Sequence, residues 1–209
     1  MLAKLARFKL RQIVRGQHIS DMPVFTEPET GKAFARLLSN AETYLEYGSG
    51  GSTVSAARLG KKFVSVESDR RFMAAVQEKI GHYPAGKLLY ANTGVTGPYG
   101  VPVFTEPTER RRRSWQNYAT MPWGHMSDPD LILIDGRFRV LCALVSIQKM
   151  TGKDFTILID DYTTRPHFHE VEQFARLADT FGEMAMFKPK QFNASAMACA
   201  ITRYSTDFS

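Results

Sequence analysis

Cysteine is scarce in this sequence. The 209 residues include only two cysteines, Cys142 and Cys199, and both lie in apolar segments with small neighbours. This usage is typical of buried thiols in a reducing compartment rather than of a disulfide framework. We therefore expect a cytoplasmic protein.

Long apolar runs are absent as well. No stretch approaches the roughly 20 apolar residues that a membrane-spanning helix requires. The composition, with 44% hydrophobic and 23% charged residues, is that of a globular protein, and 209 residues can bury a core without disulfides or metals. No long linker or low-complexity segment divides the chain. We expect one compact domain, with N-terminal helices over residues 1–40 packed on residues 41–209.

Positive charge exceeds negative charge, with a formal net charge of +6. The first basic cluster, MLAKLARFKLRQIVRG over residues 1–16, has basic and apolar residues at helical spacing. It predicts an amphipathic helix, docked on the domain or lying at a membrane surface. The second cluster is Arg110–Arg113, followed by Trp115, Tyr118 and Trp123. It indicates either a solvated helix with its aromatic side on the core or a nucleic-acid-binding surface.

Short apolar runs alternate with helical segments from residue 44 onward, which predicts an α/β fold. The predicted strands are 44–47, 63–67, 88–91, 131–135 and 155–160. The predicted helices are 52–59, 70–80, 110–118, 138–149 and 166–178. The runs LILID and TILID show almost no polar alternation, as is typical of parallel strands that are covered on both faces. At the C-terminal end, EMAMFKP and ASAMACAIT predict an antiparallel strand pair joined by a short turn.

A glycine cluster lies between the first predicted strand and the next helix, where backbone amides can approach a ligand closely. It consists of Gly48, Ser49, Gly50 and Gly51. The third glycine of a dinucleotide-binding loop is replaced by Thr53, and neither a P-loop lysine nor a hydrolase G-x-S-x-G pattern is present. Glu46 precedes the cluster at the strand end, where a carboxylate suits a ligand with a positive charge.

The segments LEYGSGGST and FVSVESD together resemble the class I S-adenosylmethionine-dependent methyltransferases. The resemblance extends from Ala41 to about Arg203, with IDG and DDY after the fourth and fifth strands, and it implies a Rossmann-like, doubly wound, mostly parallel seven-stranded sheet. It also implies that Gly48–Gly51 hold the methionine and ribose of S-adenosylmethionine. By the same resemblance, Glu46 orients the amino group of the cofactor, Glu67 binds the ribose, and Asn92 contacts the adenine.

Three aspartates follow neighbouring strands: Asp135 after the fourth, and Asp160 and Asp161 after the fifth. Together they predict a divalent metal site, such as one for Mg²⁺, that lowers the pKa of an acceptor hydroxyl. This pattern is similar to that of the metal-dependent catechol methyltransferases, although Asp161 replaces their asparagine. The alternative is that these aspartates cap helices or order turns. Asp135 and Asp161 are our candidate catalytic residues.

Two further groups of residues follow these aspartates. His167 is a candidate general base because its ordinary pKa is near neutral, and the alternative is a surface residue of a helix. Arg137, Arg139 and Arg165 border the same side of the predicted sheet. Guanidinium groups there would bind a carboxylate or phosphate of the methyl acceptor.

These features favour a methyltransferase that acts on a small, anionic or hydroxylated acceptor. Two other functions remain open from the sequence. The same glycine loop suits a nicotinamide-dependent oxidoreductase. The basic runs suit a nucleic-acid-binding protein with a vestigial cofactor fold.

Overall fold

The computed structural model describes residues 17–209, so the predicted basic helix over residues 1–16 lies outside the described residues. The strands are β1 (Thr43–Tyr47), β2 (Lys62–Glu67), β3 (Gly86–Tyr90), β4 (Leu131–Ile134), β5 (Thr156–Ile159), β6 (Ala175–Phe181) and β7 (Met184–Pro189). The α-helices are α1 (Pro28–Asn40), α2 (Gly51–Arg58), α3 (Arg70–Ile80), α4 (Glu109–Thr120), α5 (Arg139–Lys149) and α6 (Ala194–Tyr204). Short 3₁₀ helices lie at Pro98–Gly100, Met121–Gly124 and Pro166–Gln173.

The seven strands form one sheet in the order β3-β2-β1-β4-β5-β7-β6. Strands β1 to β5 are parallel, and β7 runs antiparallel to both β5 and β6. Tyr47, at the end of β1, pairs with Val66 on one side and with Ile134 on the other. The carboxyl ends of β1, β2 and β4 therefore meet at one edge, where open α/β sheets bind ligands. The predicted Rossmann-like α/β fold with an antiparallel terminal pair is confirmed.

Apolar side chains cover both faces of the central strands. All four residues of β4 are buried, and so is every residue of α5 from Arg139 to Ile147. On the other face, Phe34 and Leu38 of α1 pack with Leu131 and Leu133 of β4. Burial on both faces removes the need for polar alternation, which explains the continuous apolar sequence of β4.

The prediction placed the antiparallel strand pair too late in the chain. Of the helix predicted over 166–178, only residues 166–173 are helical, as a 3₁₀ helix; residues 175–181 form β6, which turns at Gly182 (φ +58°) into β7. Residues 194–202, predicted as a strand, belong to α6. The Asn193 side chain accepts a hydrogen bond from the amide of Ala196 (3.0 Å) and caps this helix. The alanines that follow favour a helix more strongly than a strand.

The two cysteines have different environments. Cys142 of α5 is buried, as expected, whereas Cys199 of α6 is exposed. Burial was therefore predicted correctly for only one of them.

Among residues 17–209, no helix has both the length and the apolar character needed to cross a membrane.

Candidate functional site

A cavity of about 630 Å³ lies at the carboxyl ends of β1, β2 and β4. Its walls come from the loops that follow these strands, from parts of the N-terminal segment 17–24, and from the loop 97–100. This volume is typical of pockets that bind cofactors or small molecules. The cavity contains the whole glycine cluster that the sequence analysis identified, Gly48 to Gly51.

Gly48 brings the loop after β1 against the loop after β4. Its backbone has φ +95°, and a Cβ atom there would lie 2.7 Å from the Cα of Gly136. A Cβ at Gly136 would in turn lie 2.8 Å from the Gly48 nitrogen. The Gly48 amide also donates to the carbonyl of Val66 (2.8 Å). Both glycines are required for this close backbone contact, which fixes the floor of the cavity.

Gly51 brings the N-terminal segment 17–24 against the start of α2. A Cβ atom at Gly51 would lie only 2.1 Å from the carbonyl oxygen of Met22. Asp21 of the same segment forms ion pairs with Arg58 of α2 (2.5 Å) and Lys79 of α3 (2.8 Å). The segment is thus held at both helices, and it forms one wall of the cavity.

Glu46 is fully buried beneath the glycine loop. Its carboxylate accepts hydrogen bonds from the hydroxyls of Tyr44 (3.0 Å), Thr53 (2.5 Å), Ser65 (2.7 Å) and Ser52. Burial raises the pKa of Glu46, although these hydrogen bonds oppose the rise. Glu46 does not line the cavity. The geometry therefore favours a role in ordering the loop, and the predicted contact with a ligand amino group stays a prediction.

Glu67, at the end of β2, lines the cavity and is 8% exposed. Its Oε1 accepts hydrogen bonds from the amides of Ser68 (2.6 Å) and Asp69 (2.7 Å). No residue within 17–209 donates a hydrogen bond to its Oε2. Burial raises the pKa of Glu67 to about 7. One carboxylate oxygen is thus available to a ligand hydroxyl in the cavity.

The three aspartates predicted to bind a metal do converge, but on Arg139. Its guanidinium lies 3.0 Å from Asp135 Oδ1, 3.0 Å from Asp161 Oδ2 and 3.9 Å from Asp160 Oδ2. Arg139 is 3% exposed and also donates to the Asp160 carbonyl (2.5 Å). No group of three or more His, Cys, Asp or Glu side chains among the described residues could hold a metal ion. The predicted Mg²⁺ site is not supported, because a buried guanidinium occupies the centre of the cluster.

Asp135 is the one aspartate of this cluster that lines the cavity. Burial raises its pKa, and the charge of Arg139 opposes the rise. Burial and then the charge of Asp135 raise the pKa of Asp160 to about 7. Asp161 is bound to Arg165 (2.6 Å) as well as to Arg139. Asp135 is therefore the only candidate catalytic carboxylate of the cluster that faces the cavity.

Three other predicted site residues lie outside the cavity lining. His167 is exposed, and its Nε2 lies 2.8 Å from the hydroxyl of Ser209. Arg165 is bound to Asp161 (2.6 Å). Asn92 is exposed and accepts a hydrogen bond from the amide of Gly94 (3.1 Å). The structure does not bring these side chains together with Glu67 and Asp135.

Arg137 lines the cavity, as the sequence predicted for a ligand-binding arginine. Within residues 17–209 it forms no ion pair, and its buried Nε has no hydrogen-bond partner. Burial, and then the neighbouring charge of Arg139, lower its pKa. A partly buried guanidinium that forms no direct ion pair favours an anionic ligand. Arg139 also lines the cavity, but its contacts are with the aspartates.

Sequence reasoning missed the contribution of the loop 97–100 and of Phe72 and Tyr118 to the cavity. The loop carries the turn sequence Gly-Pro-Tyr-Gly, which was a usable signal for a turn but not for its position. Phe72 and Tyr118 lie on helices, and their contribution depends on how those helices pack.

The arginines of Arg110–Arg113 are outside the cavity lining and make local contacts. Arg111 stacks over the Phe104 ring (5.4 Å), and Arg113 pairs with Glu109. Trp115 and Tyr118, which follow on the same helix, are buried in the core. These two rings are not available for stacking on nucleic-acid bases, so the helix is a solvated one with its aromatic side on the core.

Comparisons with known proteins were made for the whole sequence and fold. No family model and no curated protein matches the chain. A methyltransferase-like protein from Silicibacter pomeroyi DSS-3 is 34% identical, with a TM-score of 0.77 over 90% of this chain and 100% of that one. A Podospora anserina methyltransferase, PaMTH1, solved with S-adenosylhomocysteine, is 14% identical over 90% of this chain and 88% of that one (TM-score 0.49). Aeropyrum pernix fibrillarin, solved with natively bound S-adenosylmethionine, is 12% identical over 86% of each chain (TM-score 0.48).

Proposed function

Since the chain belongs to the class I S-adenosylmethionine-dependent methyltransferases, we propose that its cavity binds S-adenosylmethionine and that the protein methylates a small, anionic or hydroxylated acceptor. The observation that carries this proposal is the meeting of three features in one cavity: the glycine loop 48–51, Glu67 and the unpaired Arg137. The two cysteines, which form no disulfide, are the ground on which we also propose a cytoplasmic location.

The residues of the cavity fit this cofactor. Glu67 Oε2 would accept hydrogen bonds from the ribose hydroxyls, since Oε1 is already held by backbone amides. The loop 48–51 leads into the N-terminus of α2, where free amides and the helix dipole favour a carboxylate such as that of the methionine group. Glu46 keeps this loop in place from below.

When bound, the cofactor supplies an electrophilic methyl group on a sulfonium, so the protein must align the acceptor and remove its proton. Asp135 is positioned for the second task. With cofactor and acceptor bound, Asp135 would accept the proton of the acceptor hydroxyl while the methyl group is transferred from the sulfonium to the acceptor oxygen. Desolvation raises the pKa of Asp135, although its side chain is still 37% exposed, and this direction makes it a stronger base than an ordinary aspartate. Arg139 fixes its orientation through the 3.0 Å contact.

Arg137 is the proposed anchor for an anionic group of the acceptor. It forms no ion pair within residues 17–209, although the charge of Asp135, in the same loop, opposes the lowering of its pKa by burial. An acceptor carboxylate or phosphate on Arg137 would place a nearby hydroxyl close to Asp135. The formal net charge of +6 also favours approach of anions.

The two other functions that the sequence left open have less support. For the nicotinamide-dependent oxidoreductase, Thr53 occupies the position of the third glycine of a dinucleotide-binding loop. For the nucleic-acid alternative, Trp115 and Tyr118 are buried. The similarity at 34% identity is to a methyltransferase-like protein.

The proposal is tested by measuring S-adenosylhomocysteine release from S-adenosylmethionine with a panel of hydroxylated carboxylates and phosphates. We expect at least one acceptor to be methylated. Arg137→Gln should raise the KM for that acceptor by roughly 10- to 100-fold, the value of a charge-assisted hydrogen bond. Arg110→Gln, which removes an exposed charge outside the cavity, is the matched control. Failure of every acceptor, or an unchanged KM in Arg137→Gln, would contradict the assignment of an anionic acceptor.

A further inference from the structure

The loop between β3 and α4 forms a small hairpin whose tip reaches the cavity. Its two sides pair through hydrogen bonds from the Gly97 amide to the Val101 carbonyl (2.8 Å) and from the Val103 amide to the Val95 carbonyl (2.8 Å). The tip, residues 97–100, lines the cavity. The loop is thus a defined element at the cavity mouth.

Gly100 fixes this tip against the cavity wall. Its backbone has φ +72°, and a Cβ atom there would lie 2.6 Å from the Ser68 hydroxyl and 3.7 Å from Arg137 Cγ. Only glycine permits this approach without displacing the wall. The neighbouring Tyr99 is therefore held at the tip of the hairpin, in the lining of the same cavity as Arg137.

Tyr99 itself has an unusual combination of properties. Its backbone is left-handed (φ 57°, ψ 25°), which is unfavourable for a residue with a large side chain. The residue is 89% exposed, and within residues 17–209 it makes no side-chain hydrogen bond or ring contact. The fold thus holds a tyrosine in a strained conformation without burying it. Such strain is typical of residues that contact ligands.

A second exposed apolar residue lines the cavity from another segment. Val24, in the N-terminal segment, is 85% exposed. The mouth of the cavity therefore has apolar surface contributed by Val24 and Tyr99, and Arg137 and Asp135 are among the charged groups of the same cavity. A ligand that contacts all four residues favourably needs an apolar part for Val24 and Tyr99 and an anionic group for Arg137.

We propose that Tyr99 binds the methyl acceptor and selects a planar aromatic ring that carries a carboxylate and a hydroxyl. This inference rests on the proposed function. The acceptor ring would pack on the Tyr99 ring, since aromatic pairs stack favourably. Its carboxylate would pair with Arg137, and its hydroxyl would face Asp135.

The inference is tested by titrating acceptors into protein saturated with S-adenosylhomocysteine. The probes are 3-hydroxybenzoate, 4-hydroxybenzoate and 3-(4-hydroxyphenyl)propanoate, with the aliphatic 3-hydroxybutyrate for comparison. We expect at least one aromatic probe to bind about 10-fold more tightly than 3-hydroxybutyrate. Tyr99→Gly should lower the affinity for that probe by about 10-fold. Tyr99→Phe should keep the affinity within about threefold of the wild-type value, because it keeps the ring.

Two readouts separate this role from a structural one. Tyr99→Gly should not lower the melting temperature, since glycine relieves the left-handed strain, and it should leave the affinity for S-adenosylhomocysteine unchanged. Phe104→Ala, which removes another exposed aromatic residue of the same loop outside the cavity lining, is the matched control and should leave acceptor binding unchanged.

Several outcomes would overturn the inference. They are the absence of binding by all three aromatic probes, equal binding of 3-hydroxybutyrate, and unchanged probe affinity in Tyr99→Gly. A loss of S-adenosylhomocysteine affinity in Tyr99→Gly would assign the ring to the cofactor instead. If S-adenosylhomocysteine binds the wild-type protein but no aromatic probe does, the inference alone fails. If S-adenosylhomocysteine itself does not bind, the proposed function fails with it.

Discussion

Glu67 is the residue whose charge is expected to govern cofactor binding. Burial raises its pKa from 4.5 to about 7 in the free protein, whereas ribose hydroxyls donate to the ionised carboxylate. Binding must therefore keep Glu67 deprotonated. The affinity for S-adenosylhomocysteine should be nearly constant above pH 8 and fall by about tenfold per unit as the pH drops below 7.

This prediction is checked by isothermal titration between pH 5.5 and 8.5, with Glu67→Gln as the control. The glutamine variant should bind more weakly, and the ratio of its dissociation constant to that of the wild type should shrink as the pH falls. Because groups that titrate on the ligand affect both proteins equally, the ratio isolates Glu67. A ratio that does not change with pH would show that the charge of Glu67 takes no part in binding.

Asp135 is the residue whose charge is expected to govern turnover. Asp135→Asn keeps the shape of the side chain and removes the base, so turnover should fall by roughly 10²-fold or more with cofactor affinity retained. The measurement is steady-state kinetics with an acceptor found in the screen. Asp161→Asn, outside the cavity lining but in contact with the same Arg139, is the control for loss of an ion pair. If both variants lose turnover in proportion to their loss of stability, Asp135 is structural and is not the base.

Among single residues, the sequence identifies those site residues that directly follow a strand and belong to a short motif. Gly48–Gly51 and Glu67 were found in this way, and both line the cavity. The contact between Gly48 and Gly136 could not be found, because it depends on β1 and β4 being neighbours in the sheet. The position of Arg139 among the three aspartates depends on the packing of α5. Spacing in the sequence identifies the three carboxylates but not the arginine that lies between them.

At the scale of elements, the N-terminal segment 17–24 is expected to complete the cofactor cavity. In Gly51→Ala the new methyl group would lie 2.1 Å from the carbonyl oxygen of Met22, so the segment must move. We expect a loss of roughly 1–3 kcal/mol in the free energy of unfolding, the usual cost of overpacking, and weaker S-adenosylhomocysteine binding. Thermal unfolding and titration calorimetry measure the two effects.

The matched control is Gly31→Ala in α1, where a Cβ atom would meet only Phe25 at an ordinary 4.0 Å. Alanine favours a helix over glycine by about 1 kcal/mol, so this variant should be as stable as the wild type or more stable. Equal behaviour of Gly51→Ala and Gly31→Ala would contradict the close contact at the start of α2.

The elements that the sequence predicted well are those with one clear pattern. The helix Arg70–Ile80 agrees with its prediction at both ends, because Asp69 caps its start and Gly81 ends it. The segment 194–202 was predicted wrongly, because alternating alanine and methionine residues look apolar in a strand and equally apolar on a helix. The Asn193 cap was the signal that decides between them. A strand such as β6, exposed along much of its length, lacks the apolar continuity by which the others were found.

At the scale of the whole molecule, the strand order explains why distant segments form one site. The carboxyl ends of β1, β2 and β4 are adjacent, so the glycine loop, Glu67 and Asp135 meet although they are far apart in sequence. Alternation of strands and helices predicts such a sheet, and the terminal pair of β7 and the edge strand β6 completes it. Alternation cannot predict which loops cover the cavity. Segments 17–24 and 97–100 have no periodic pattern, and their positions over the cavity depend on tertiary contacts.

Isothermal titration of the wild-type protein with S-adenosylhomocysteine measures cofactor binding most directly. We expect saturable binding at one site per chain, weakened by roughly 10-fold or more in a Glu67→Ala protein that still unfolds cooperatively. NAD, titrated under the same conditions, should give no saturable signal. Absence of S-adenosylhomocysteine binding to well-folded protein, or saturable binding of NAD in its place, would contradict the account.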